Sequence, residues 1–207
     1  SDGVKIDVDL TEGKAYFSPE QKGVASNEFP YLQYKSSLDD GIWDMKERIV
    51  TMSVPEDQED ISKSYFYSTH PDQDSLVFNA RKAVYSMDSL TLHVEGVPFV
   101  HVADARIEPG NNELFIGENA HMKNIEKAII TIDTLNQYHR LFDGNIQIIS
   151  RSHFEGNATY AYKNIQGDTL PIKFNNFELV EEEISRKKIE THTVATGVVE
   201  AADSFVL

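Results

Sequence analysis

Apolar residues recur at every second position of this chain, in short runs that turn-forming residues separate. From 90 to 94 leucine and valine alternate with threonine and histidine, and the segments 159–162 and 172–174 follow the same pattern. Gly, Pro, Asn and Asp cluster between such runs, as in EGVP at 95–98 and EPGNN at 108–112. A period of two that is broken by turn chemistry is typical of strands joined by tight connections. The sequence therefore predicts an all-β fold.

A second, longer spacing indicates how the strands are stacked. Ala83, Ala105 and Ala128 each stand one or two positions before an apolar residue, and they are 22 and 23 residues apart. Such a period is typical of a stacked-strand β-solenoid with a small residue at a crowded inward position. A meandering sandwich with strands of similar length gives the same spacing, so both architectures stay open.

The segment LVEEEISRKKIE at 179–190 is the one place where helical spacing occurs. Glu182/Arg186 and Glu183/Lys187 stand four residues apart, which allows one short helix near 180–189. We favour a solvated linker, because the apolar stripe of this segment is narrow. We therefore divide the chain into a β-solenoid or jelly-roll module at 1–180 and, at 181–207, a linker with the start of a following, truncated β-repeat.

Composition limits the partners of the chain. Its 207 residues include 34 acidic and 19 basic ones, a net charge of −15 that repels nucleic acids and anionic membrane surfaces. There is no cysteine, so neither disulfides nor thiolate metal sites are available. No apolar run reaches the roughly 18 residues of a membrane-spanning helix. The chain begins Ser-Asp-Gly without Met and ends on an apolar run, so we expect it to be part of a larger protein.

Five segments within about 42–207 are distinctive in sequence: SYFYSTHPDQDSLVF, GVPFVHVADARIEP, NAHMKNIEKAIITIDTLNQYH, IISRSHFEGNATYAY and ATGVVEAADSFVL. They resemble large cell-envelope proteins of Bacteroidetes-type bacteria. The resemblance implies an exported structural or binding module, and it supplies no catalytic residue.

In GIWDMKERIVTM and KAVYSMDSLTLHVEGV a small residue is followed two positions later by an aromatic residue and then by a strand pattern. This arrangement is similar to the periplasmic lipopolysaccharide-transport proteins of the OstA-like class. The resemblance implies an OstA-like β-jelly roll whose inner face cradles acyl chains. For the chain as a whole we expect a lipid or glycan as ligand and the remainder of the larger chain as partner.

Polar clusters offer candidate sites, each with a plainer structural interpretation. Asp72 and Asp74 are candidate Ca²⁺ ligands, although the segment 68–74 has the composition of an ordinary turn, which we favour. The histidines show no ligand spacing such as HExxH, and we expect no metal or cofactor from them. Trp43, the only tryptophan, suits either a sugar-stacking or a core position.

Four tripeptides of the form Asp-Ser/Thr-Leu resemble the acceptor sequence for O-glycosylation in Bacteroidetes-type bacteria. The same tripeptides also satisfy turn backbone groups before a strand. Their recurrence predicts export to the periplasm or the cell surface. The candidate acceptors are Ser75, Ser89, Thr134 and Thr169.

We therefore expect a non-catalytic structural or binding module of a bacterial cell-envelope protein, with a role in lipid or lipopolysaccharide transport or in scaffolding. Two alternatives remain open: a polysaccharide-binding or polysaccharide-cleaving β domain, and a calcium-dependent adhesive module. The interior of the fold distinguishes lipid transport from scaffolding, because an apolar trough favours the former and a fully packed interior the latter.

Overall fold

The computed structural model describes residues 3–21, 23–25, 27–38, 40–132, 139–185 and 188–198, and these form two antiparallel sheets. Strands are numbered in chain order. The first sheet contains, in spatial order, β1 (Val4–Asp9), β2 (Lys14–Pro19), β5 (Asp40–Asp44), β6 (Ile49–Ser53), β9 (Lys82–Ser86), β10 (Thr91–Glu95) and β13 (Glu113–Ile116).

The second sheet is longer and contains the C-terminal strands. Its order is β18 (Lys188–Val198), β17 (Thr169–Ser185), β16 (His153–Lys163), β15 (His139–Ser150), β14 (Ile125–Ile132), β12 (Ala105–Glu108), β11 (Val100–Val102), β8 (Val77–Asn79), β7 (Tyr65–Ser68), β4 (Tyr34–Ser36) and β3 (Asn27–Phe29). Two single-turn 3₁₀ helices, Pro71–Gln73 and Glu118–Ala120, lie in the connections.

Successive hairpins alternate between the two sheets. The β1–β2, β5–β6 and β9–β10 hairpins belong to the first sheet, whereas the β3–β4, β7–β8 and β11–β12 hairpins belong to the second. The strand pairs are antiparallel, and the alternation produces a two-layer sandwich of the jelly-roll type. The all-β prediction is confirmed, and the arrangement is consistent with the jelly-roll form of the two architectures considered.

The middle of the sandwich is closely packed. Phe66 is fully buried and stacks on Phe78, with ring centroids 5.6 Å apart. Buried Tyr34 donates its hydroxyl to Gln73 Oε1 at 2.6 Å, and Gln73 Nε2 donates to the Ala120 carbonyl at 2.7 Å. Burial raises the pKa of Tyr34 far above its ordinary value, so the phenol stays neutral and keeps its donor proton.

The three regularly spaced alanines are fully buried, as the sequence predicts for crowded inward positions. Ala83 lies in β9 of the first sheet, whereas Ala105 and Ala128 lie in β12 and β14 of the second. Their spacing marks inward-facing positions in two different sheets, and it does not mark successive turns of one solenoid.

The prediction of a short helix near 180–189, and of a linker in its place, is wrong for the described part of that segment. The 17-residue strand β17 passes through residue 180, and β18 pairs with it, with Val180 opposite His192. Backbone pairing along the whole length of β18 outweighs a few charge pairs at helical spacing, because each of those pairs contributes only about 0.2–0.5 kcal/mol. Residues 186–187 and 199–207 lie outside the described residues, and the division into 1–180 and 181–207 stays a prediction.

The edge strand β18 is tied to the β11–β12 turn by one side chain. The Asp104 carboxylate accepts the Thr193 backbone N–H at 3.1 Å and also the Thr193 hydroxyl. Because this N–H faces away from β17, Asp104 satisfies a donor of the sheet edge. The second sheet is thereby held in a curl at its C-terminal end.

Replacing Asp104 with alanine should loosen β18 locally. Hydrogen bonds to charged groups contribute about 1.5–3 kcal/mol, so amide hydrogen exchange at Thr193 should become at least about tenfold faster. Asp104→Asn, which keeps an acceptor oxygen, is the matched control and should retain most of the protection. Equal exchange rates in the Ala variant and the unmodified protein would contradict this role.

Candidate functional site

The sandwich is open at the end where the first sheet begins. Here β1 is the edge of the first sheet and β3 is the edge of the second, and residues of both sheets line a cleft of about 690 Å³. We call this cleft the trough. Its lining residues are Ile6, Val8, Ala15, Phe17, Asn27, Glu28, Phe29, Pro30, Tyr31, Trp43, Met45, Val50, Met52, Tyr85 and Met87.

Strand register explains why the trough is apolar. Residues that oppose one another across strands share a face, so the inward residues of the first sheet form two continuous rows. One row contains Val8, Ala15, Trp43, Val50 and Tyr85. The other contains Ile6, Phe17, Gly41, Met52 and Ala83.

Several side chains of these rows are exposed near the edge of the first sheet, whereas those nearest the centre of the molecule are buried. Ile6 is 65% exposed, Val8 49% and Trp43 38%, whereas Met52 is 1% exposed. Phe29 of β3 packs edge-on against Tyr85, with ring centroids 5.3 Å apart, and closes the inner end of the trough. These exposed side chains share the trough with Asn27, Glu28 and Phe29 of β3, the edge strand of the second sheet.

Phe17 lies across Gly41 on the trough floor. A Cβ atom on Gly41 would stand only 2.0 Å from Phe17 Cζ, so the ring occupies the space that a side chain would take. Glycine is needed here for close approach, because a Cβ would displace the ring.

The Gly41→Ala variant should be destabilised by about 1–3 kcal/mol, the usual cost of overpacking. Gly117→Ala is the matched control, since a Cβ there would have no neighbour nearer than 3.9 Å. Urea denaturation of both variants measures the difference. A Gly41→Ala protein as stable as the control would show that the ring does not rest on this glycine.

The trough contains little charge. Of the described residues that line it, only Glu28 is charged, and its carboxylate lies 3.7 Å from Lys35 Nζ. The amide of Asn27 donates to the Leu38 carbonyl at 3.2 Å. The remaining lining is mainly aliphatic, aromatic and methionine side chains.

The turns beside the trough carry carboxylates that accept backbone hydrogen bonds. Asp9 Oδ1 accepts the backbone N–H groups of Thr11 and Glu12 at 2.8 and 3.0 Å, and these hydrogen bonds lower the pKa of Asp9. Asp44 Oδ1 accepts the N–H groups of Lys46 and Glu47 in the same way. Because Asp9 follows Val8 and Asp44 follows Trp43, negative charge stands at the rim of an apolar cleft.

A smaller cavity of about 330 Å³ lies at the opposite end of the sandwich. It is lined by Ile132, His139, Leu141, Tyr160, Phe174, Thr193, Val194 and Ala195. Ile132 and His139 flank residues 133–138, which lie outside the described residues. The packed middle of the sandwich separates this cavity from the trough.

The structure does not bring the predicted site residues to the trough. Asp72 and Asp74 lie in the turn at Pro71–Gln73, where the Asp72 N–H donates to His70 Nδ1 at 3.1 Å. Within the described ranges, no group of three or more His, Asp or Glu side chains is placed to hold a metal ion. Calcium binding at Asp72 and Asp74 stays a prediction.

The glycosylation candidates are at the surface where the structure describes them. Ser75 and Ser89 are exposed in turns, and Thr169 is exposed at the start of β17. Thr134 lies outside the described residues. Exposure leaves these hydroxyls accessible, and their modification stays a prediction.

Comparison with protein families, with curated proteins and with solved structures gave no match. In the part of the chain that the structure describes, no helix is long and apolar enough to cross a membrane.

Proposed function

We propose that this module binds the apolar chain of a lipid in the trough, as a non-catalytic part of a larger, exported bacterial cell-envelope protein. The observation that carries the proposal is the exposed apolar inner face of Ile6, Val8 and Trp43 in a cleft of about 690 Å³. Small-molecule sites usually measure about 300–1,000 Å³ and are lined mainly by hydrophobic and aromatic side chains. An alkyl chain would remove this surface from water without requiring a polar partner.

The packed core defines what kind of lipid role we propose. Phe66 and Phe78 fill the interior beyond the trough, so a chain is held at one end of the sandwich and is not threaded through it. The module then serves as a holding site. Passage of lipid along a longer assembly would require transfer between the ends of neighbouring modules.

The lining favours a lipid over a polysaccharide substrate. Glycoside cleavage ordinarily needs two carboxyl groups about 5–10 Å apart across the scissile bond. Among the described lining residues, Glu28 is the single carboxylate, and it pairs with Lys35. Binding of an acyl chain requires only the aliphatic, aromatic and methionine side chains that line the trough.

Titration with dodecanol tests the proposal, with Trp43 as the reporter because it is the only tryptophan. Binding should transfer its half-exposed indole to an apolar environment and shift its emission to shorter wavelength, with saturation below the solubility limit of the alcohol. An emission spectrum that does not change, or that changes without saturation, would contradict lipid binding at the trough.

A further inference from the structure

We propose that the trough selects an alkyl-chain ligand whose head carries no negative charge. This inference rests on the proposed function, since it concerns the ligand class of the same site. It separates lipids with neutral heads, such as alcohols and acylglycerols, from fatty acids and phosphorylated lipids.

The first argument is the absence of a cationic partner in the described lining. An anionic head needs charge-assisted hydrogen bonds, which Lys and Arg usually donate. The ionisable groups of the described lining are Glu28, Tyr31 and Tyr85, and none of these is a cation. Lys35 lies outside this lining, and its ammonium is already paired with Glu28 at 3.7 Å. A carboxylate or phosphate entering the trough would lose water without gaining an ion pair.

The second argument is the charge at the rim. Asp9 and Asp44 follow lining residues directly in sequence, and hydrogen bonds with their turns stabilise the ionised form of Asp9. Lysines 14 and 46 also lie at these turns, but the chain as a whole carries a net charge of −15. An anionic head at the mouth therefore meets a negative potential over the screening distance of about 8 Å at physiological ionic strength.

A neutral head loses no ionic hydration in the trough and is not repelled by the carboxylates at the rim. It can stay at the mouth, hydrated or hydrogen-bonded to exposed backbone of the edge strand β3, while its chain covers Ile6 and Val8. The same charges that disfavour a phosphorylated lipid thus leave a neutral one unaffected. The trough is suited to the chain and not to an acidic head.

A matched pair of probes tests this selectivity. Dodecanol and dodecanoate have chains of the same length and differ in the charge of the head. At neutral pH and low salt, Trp43 emission should report binding of dodecanoate that is at least about tenfold weaker than binding of dodecanol. Added salt should narrow the difference, because screening weakens repulsion at the rim.

A charge-reversal variant provides the second measurement. Glu28→Lys introduces a cation into the lining and should reduce the ratio of the two dissociation constants several-fold. Equal affinity for both probes, or tighter binding of dodecanoate, would overturn the selectivity while lipid binding stands. Failure of both probes to bind would overturn the proposed function together with this inference.

Discussion

Replacing Phe66 with alanine should lower the free energy of unfolding by about 3–5 kcal/mol, the usual cost of truncating a buried aromatic side chain. Phe66 is fully buried, pairs with Phe78 in the middle of the sandwich and lies between the two open ends. Its ring belongs to the packed interior that prevents a chain from passing through the module. Urea denaturation followed by circular dichroism measures the effect.

Phe142→Ala is the control for this substitution. Phe142 lies in β15 and is 37% exposed, so its truncation removes only partial apolar contacts. The free energy of unfolding should therefore fall by less than about 1 kcal/mol. Should the two variants lose the same stability, the middle of the sandwich would not be a closed core. The separation between the trough and the smaller cavity would then have to be abandoned.

Replacing Val8 with aspartate should weaken dodecanol binding by at least about tenfold without unfolding the protein. Val8 is 49% exposed and faces the trough, so a carboxylate there stays hydrated in the free protein but must be desolvated beneath an alkyl chain. The loss should be in affinity, with little change in thermal stability. Titration of Trp43 emission and a thermal unfolding curve separate the two effects.

The matched control is Ile42→Asp, on the outer face of the same sheet. Ile42 is 42% exposed, close to the exposure of Val8, and it lies next to Trp43 in β5 but on the opposite face. Its replacement should leave the affinity for dodecanol within about twofold of that of the unmodified protein, a difference well below 1.4 kcal/mol in binding free energy. Equal losses in the two variants would show that the sheet edge as a whole, and not the trough, governs binding.

The local features of this fold were accessible from sequence. Alternation at 90–94 predicted strand β10, and GIWDMKERIVTM contains the β5–β6 hairpin, whose turn Asp44 caps. Asp9 caps the β1–β2 turn in the same way. Such signals are visible because side chain and backbone lie within a few residues of each other.

The trough could not be predicted from the sequence, because its existence depends on how strands of the two sheets are placed relative to one another. Ile6 and Val8 alternate with aspartates just as Leu92 and Val94 alternate with polar residues, yet the first pair is exposed and the second fully buried. The first pair lies in β1, the edge strand of the first sheet, whereas the second pair lies in β10, between β9 and β13. The wrong prediction at 180–189 has a similar origin, since β18 supplies pairing partners that the local pattern does not contain.

Quenching of Trp43 by dodecanol with bromine on its chain tests lipid binding in the trough most directly. Bromine quenches indole emission only at close range, and the chain has one tryptophan, so a quenched signal places the alkyl chain against the trough wall. We predict saturable quenching that unbrominated dodecanol competes away and that Val8→Asp weakens. Saturable binding by calorimetry without quenching of Trp43 would place the ligand elsewhere and contradict the proposed site.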